Sequence, residues 1–107
     1  NYSVPGVLKN AIDWGSRPPR ESVWRGKPAA IMGASIGTGA TSRAQHHLRQ
    51  IMVALDMHPV MQPEVLIASA HERFDADGNL TDERTIKVVR RLLERLVDWT
   101  RRLQPPS

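Results

Sequence analysis

Lys27-Pro28-Ala29-Ala30-Ile31-Met32-Gly33-Ala34-Ser35-Ile36-Gly37-Thr38-Gly39-Ala40-Thr41, running into the amphipathic segment Ser42 to Ala54, decides the fold of this chain. Pro28 to Met32 is a continuous apolar run, the signature of a strand covered on both faces. The three glycines allow a tight turn and close approach of a ligand, because glycine has no Cβ and tolerates positive φ. In the helix that follows, Leu48, Ile51, Met52 and Leu55 recur at helical spacing, with Arg43, His46, Arg49 and Gln50 elsewhere on its surface. Strand, glycine loop, helix is the order of an α/β domain that holds a phosphorylated or aromatic ligand at the carboxyl end of a parallel sheet. The spacing Gly33-Ala34-Ser35-Ile36-Gly37 also admits a nucleophile elbow centred on Ser35.

Upstream, Ser3 is an expected N-cap for a helix that tolerates Pro5 in its first turn and stops at Gly15. Val7, Leu8, Ala11, Ile12 and Trp14 form its apolar side. Arg17 to Arg25, with two prolines, reads as a surface loop that Trp24 anchors to the core. Downstream, Met57 to Met61 is a short apolar run broken by Pro59, and Val65 to Ala68 is a second strand. Phe74 to Asn79 is a turn. Its acids do not make an EF-hand, because the twelfth position counted from Asp75 is Ile86 rather than Glu. Thr81 is the expected cap of the last helix, with Asp82 and Glu83 in its first turn. Its buried stripe is expected to be Ile86, Val89, Leu93, Leu96, Val97 and Leu103, with order ending at Pro105-Pro106.

The 107 residues suit one domain or part of one. The absence of cysteine excludes disulfides, thiolate nucleophiles and Cys-type zinc sites, and fits a reducing, cytoplasmic setting. No apolar run approaches the roughly 20 residues of a membrane span. The net charge of +4 comes from twelve Arg and three Lys against eleven acids. Interleaving of the arginines with acids reads as a solvated surface, and neither nucleic acid nor a membrane is the expected partner. The neighbours His46 and His47 point in different directions on a helix and so do not form a metal pair. The opening Asn1-Tyr2-Ser3-Val4, without an initiator Met, reads as the middle of a loop.

The string Asn1-Tyr2-Ser3-Val4-Pro5-Gly6-Val7-Leu8-Lys9-Asn10-Ala11-Ile12-Asp13-Trp14 resembles the signature of the NADPH-dependent FMN reductase family, which includes bacterial chromate, quinone and azo-dye reductases. The loop Gly33 to Thr41, the run Arg43 to Gln50, Pro63-Glu64-Val65 and the turn Phe74 to Asp82 match it in order and spacing, so the resemblance covers nearly the whole chain. It implies a flavodoxin-like α/β three-layer sandwich with parallel strand order 2-1-3-4-5, of which residues 1–107 supply the third helix to the fifth. Strands 1 to 3 and the family's phosphate loop are not among these residues.

The resemblance further implies FMN and NAD(P)H as cofactors and a small-molecule electron acceptor. Asn1, Tyr2 and Ser3, together with Ala34, Ser35 and Gly37, are the implied flavin-lining positions. Arg43, His46 and Glu64 resemble positions that join subunits, which implies a homodimer or homotetramer. Arg17 and Arg20 are the candidates for a basic mouth. The match also argues against a Ser35 nucleophile, since no His–acid pair follows in a matching order. No residue is assigned a catalytic role, because the flavin carries the redox chemistry. Two other readings remain: a non-catalytic assembly module, and an Arg-rich nucleic-acid binder.

Overall fold

A computed structural model describes residues 1–105. The order is α1 (Gly6–Gly15), β1 (Pro28–Ala29), β2 (Met32–Ala34), α2 (Ser42–Ala54), β3 (His58–Pro59), β4 (Val65–Ile67) and α3 (Glu83–Leu103), with single helical turns at Pro19–Glu21 and Ala70–Glu72. The four strands pair in parallel: Pro28 and Ala29 face His58 and Pro59, and Met32, Gly33 and Ala34 face Val65, Leu66 and Ile67. The expected single strand Pro28–Met32 is therefore two short pieces with separate partners. Its partner side is interrupted between His58–Pro59 and Val65, a stretch that contains Pro63, and proline has no N–H for a ladder. Pro59, which argued against a strand, is itself paired in β3. The expectation that order ends at Pro105-Pro106 lies partly outside the described residues.

The core forms where α3 meets β1 and β4: Val60, Val65, Ile67 and Leu92 are buried, with Ala30, Val88, Val89, Leu96 and Trp99 packed around them. Trp99 Nε1 donates to the His58 carbonyl at 2.8 Å and fixes the C-terminal half of the helix on β3. The expected stripe of α3 holds at Val89 and Leu96, which pack against the core, and is corrected elsewhere by about one position. Thr85 and Leu92 are buried, whereas Leu93 and Val97 are 46% and 48% exposed. The helix carries two adjacent apolar stripes. Ile86, Val89, Leu93 and Val97, with Leu80, line an open groove of about 430 Å³ on the outer side.

The cap of α3 also moves by one residue. Asp82 Oδ2 accepts from the Thr85 amide at 3.0 Å and from its hydroxyl at 2.6 Å, while Thr81 Oγ1 donates to the Arg73 carbonyl. The bonds from Thr85, with smaller help from Arg73, hold the Asp82 carboxyl below its ordinary value of 3.8. A carboxyl depressed in the folded state adds stability above its unfolded value, and that stability is lost as pH falls through the depressed range. Thermal midpoints measured from about pH 5 down to about pH 2 should therefore fall less steeply for Asp82→Asn than for the wild type. Equal slopes would refute this linkage.

Ser3 does not cap α1. Pro5 occupies the cap position with no side-chain bond, and Ser3 Oγ instead meets His47. Of the expected apolar side of α1 only Ile12 is buried, and Val7 and Trp14 are 83% and 75% exposed. Gly15 is the last helical residue, and a Cβ there would lie 2.7 Å from the Trp24 Nε1. Trp24 does anchor its loop, by donating to the Ile12 carbonyl at 2.9 Å. α2 has the expected bounds and buries Met52 as expected, together with Gln45, which periodicity of apolar residues does not reveal. Gln45 Nε2 bridges Thr41 Oγ1 at 3.0 Å and the Val65 carbonyl at 2.8 Å, tying α2 to β4 across β2. Its Oε1 has no partner among the described residues.

Candidate functional site

The loops that leave β2 and β4 are joined by backbone bonds. The Ser35 amide donates to the Ile67 carbonyl at 2.9 Å, the Ala70 amide to Ser35 at 2.9 Å and the Ser69 amide to Gly37 at 3.3 Å. Pairing thus continues past the ends of the strands and holds the glycine loop against its neighbour. Within the loop, the Ser35 hydroxyl accepts the Gly37 amide at 3.2 Å. Gly33 is required for a different reason. A Cβ there would sit 2.4 Å from Thr41 Oγ1, so its absence lets the N-terminus of α2 close down on β2.

Above this floor lies a cleft of about 340 Å³, lined by Asn1, Tyr2 and Ser3 on one side, Ala34 and Ser35 below, and Gly39 to Ala44 on the other side. That volume is at the small end of the range of ligand clefts, about 300–1,000 Å³. The structure thus brings together five of the six implied flavin-lining residues. Gly37 is in the same turn but does not line the cleft, its amide being engaged by Ser35. Arg17 and Arg20 do not line it either; the cation at its rim is Arg43, whose Cζ lies 4.0 Å from the centroid of the Tyr2 ring. Tyr2 and Ala40 hold positive φ, at 74° and 51°. Non-glycine residues in that conformation cluster at functional sites.

The chemistry on offer is polar and anion-tolerant. The N-cap residue of α2, Thr41, makes no side-chain cap, and the first-turn residues Ser42, Arg43 and Ala44 line the cleft. The helix dipole and the Arg43 guanidinium favour negative charge or an electron-rich edge there. The Ser35 hydroxyl accepts from Gly37 and retains its hydrogen to donate. No histidine hydrogen-bonds Ser35 among the described residues: His47 meets Ser3, while His46 and His71 lie 3.9 Å and 3.8 Å from Glu64 and Glu72. The elbow reading of Ser35 has no general base. Among the described residues no three metal-ligating side chains come together, and no helix is long and apolar enough to cross a membrane.

Arg43, placed by resemblance at a subunit contact, is thus part of the cleft, and His47 was not foreseen as a site residue. The readable signal was their spacing of four on α2, which puts both on one face of the helix.

A parallel α/β arrangement with a cleft at the carboxyl ends of its strands is that of the open α/β proteins, the flavodoxin-like ones among them. Comparison with known proteins agrees. The sequence model of the NADPH-dependent FMN reductase family matches residues 1–72, and the chain belongs to that family. It is 56% identical over 104 residues to an NAD(P)H-dependent FMN reductase of Pseudomonas aeruginosa, covering 97% of this chain and 56% of that protein. It is 46% identical over 101 residues to a 2-hydroxy-1,4-benzoquinone reductase of a Burkholderia species, covering 94% and 55%. Among solved structures, FerB from Paracoccus denitrificans, a flavoenzyme NAD(P)H:(acceptor) oxidoreductase, superimposes with a TM-score of 0.84 at 38% identity, covering 95% of this chain and 56% of FerB. The chain spans about half the length of the curated relatives it matches.

Proposed function

We propose that this chain builds part of an FMN-dependent NAD(P)H oxidoreductase that delivers electrons to quinones, azo compounds or metal oxyanions such as chromate. The observation that carries the reading is one of convergence. Asn1–Ser3 and Ala34–Ser35, distant in sequence, enclose one cleft at the carboxyl end of β2. The uncapped first turn of α2 and the free hydrogen of the Ser35 hydroxyl suit the polar edge of an isoalloxazine ring. FMN, when bound, supplies the hydride and electron chemistry. The chain's own residues orient and enclose: Tyr2 and Ser3 form a wall, Ala34 and Ser35 a floor, and Arg43 brings positive charge that attracts anionic ligands.

On this reading residues 1–107 are the C-terminal part of a single flavodoxin-like domain, in keeping with the half-length match to the relatives. The family's phosphate loop has no counterpart in these residues. Assembly as a homodimer or homotetramer through Arg43, His46 and Glu64 belongs to the same proposal, as does a cytoplasmic location. The 3.9 Å approach of His46 to Glu64 supports their acting together.

Titration of the whole protein that carries these residues with FMN, followed by quenching of flavin fluorescence, is expected to give saturable one-to-one binding. Ala34→Phe, which fills the floor of the cleft, should weaken it by about tenfold, the scale of overpacking a formed site. Quenching that never saturates, or that Ala34→Phe leaves unchanged, would sink the reading. The half-length span also favours a second reading, a non-catalytic binding or assembly module. A chain that forms defined complexes yet neither binds FMN nor oxidises NAD(P)H is that module.

A further inference from the structure

Two consecutive residues of the cleft wall are each held by a side chain of α2. Arg43 lies over the Tyr2 ring, and Ser3 Oγ is 2.7 Å from His47 Nδ1. Arg43 and His47 are four residues apart and share one helix face, so a single surface of α2 meets the wall twice. Between these contacts Tyr2 keeps a φ of 74°, a conformation that L residues rarely adopt and that persists only when its surroundings over-determine it. The adjacent His46 points away, towards Glu64. None of this is used if Ser3 caps α1 or touches the ligand.

We propose that Ser3 and His47 are a positioning pair: the imidazole takes up the Ser3 hydroxyl and so fixes the Asn1–Ser3 wall over the cleft. The proposal rests on the flavin reading above and assigns Ser3 to His47 instead of to the ligand. A Ser–His contact also opens a nucleophile reading. The third group is missing: among the described residues the histidines close to a carboxylate are His46 and His71, not His47. The contact works in either His47 tautomer, because a hydroxyl both donates and accepts.

The pair is tested in the full chain with FMN as the probe. Ser3→Ala and His47→Leu should each weaken FMN binding by about two- to tenfold, the yield of one net hydrogen bond. The double variant should be no weaker than either single one, since both remove the same contact. His47→Asn should restore binding, because its Oδ1 stands where Nδ1 stood relative to Cβ, and His47→Gln should not. A role in bulk packing would not produce that Asn–Gln difference. Additive losses, or a loss confined to Ser3→Ala, would overturn the proposal by putting Ser3 on the ligand.

A second readout needs no flavin. Ser3→Ala should shift the His47 ring nitrogen resonances of the ligand-free chain, and unmoved resonances would overturn the pair whatever FMN does. A wild type that shows the shift yet fails to bind FMN would instead overturn the flavin reading, and with it the pair's role there.

Discussion

Leu92→Ala is expected to destabilise the chain by about 2–5 kcal/mol, the cost of deleting a fully buried leucine from a packed core. Leu93→Ala, one residue on, should cost far less, because Leu92 is 1% exposed and Leu93 is 46% exposed. Leu92 meets Val60, Val65 and Ile67, the side chains through which β4 and its approach pack on α3. Removing it leaves a cavity where helix and sheet touch. Urea unfolding followed by tryptophan fluorescence, to which Trp99 packed against this cluster contributes, measures both variants. Equal losses would mean that the helix is rotated from the orientation described above, with the outer stripe facing the sheet.

Gly33→Ala should cost about 1–3 kcal/mol, the range for forcing a methyl group into a filled site. The new Cβ would meet Thr41 Oγ1 at 2.4 Å and the Thr41 Cβ and Cγ2 at 2.9 Å. Neither side yields cheaply: Gly33 is paired with Leu66 inside the sheet, and Thr41 Oγ1 receives Gln45 Nε2. Displacing Thr41 also disturbs Gln45, the side chain that bonds α2 to β4 at the Val65 carbonyl. Thr41→Gly removes the obstacle at a helix cap where glycine is tolerated, so it should recover part of the loss in the double variant. Thermal midpoints of the single and double variants check this. Independent, additive effects would show that the two residues do not meet.

The order of the three helices and the places of β2 and β4 were legible because they rest on local signals, whereas the split of the first strand and the pairing of His58–Pro59 were not. The glycine loop, the helical spacing of Leu48, Ile51, Met52 and Leu55, and the apolar run Val65–Ile67 each say what the chain does over a few residues. α2 accordingly begins and ends where its pattern does. Orientation was not legible. α3 has two apolar stripes side by side, and nothing in a one-dimensional period says which one meets β1 and β4. Thr85, polar by type, is buried because Asp82 takes its hydroxyl. At the site, the composition of the wall and floor could be named from the family's pattern. The partner of Ser3 could not, since His47 stands 44 residues away and meets it only through the fold.

The shared backbone bonds between the loops after β2 and β4 also bear on how the proposed ligand would come and go. The floor of the cleft is already knit to Ile67, Ser69 and Ala70, so no folding of that surface has to accompany encounter. The opposite wall is held by side chains alone, at Tyr2 and Ser3. On the flavin reading, exchange of the ligand is expected to be timed by the three-residue wall rather than by the bonded surface beneath it. A slow step in association belongs to the wall.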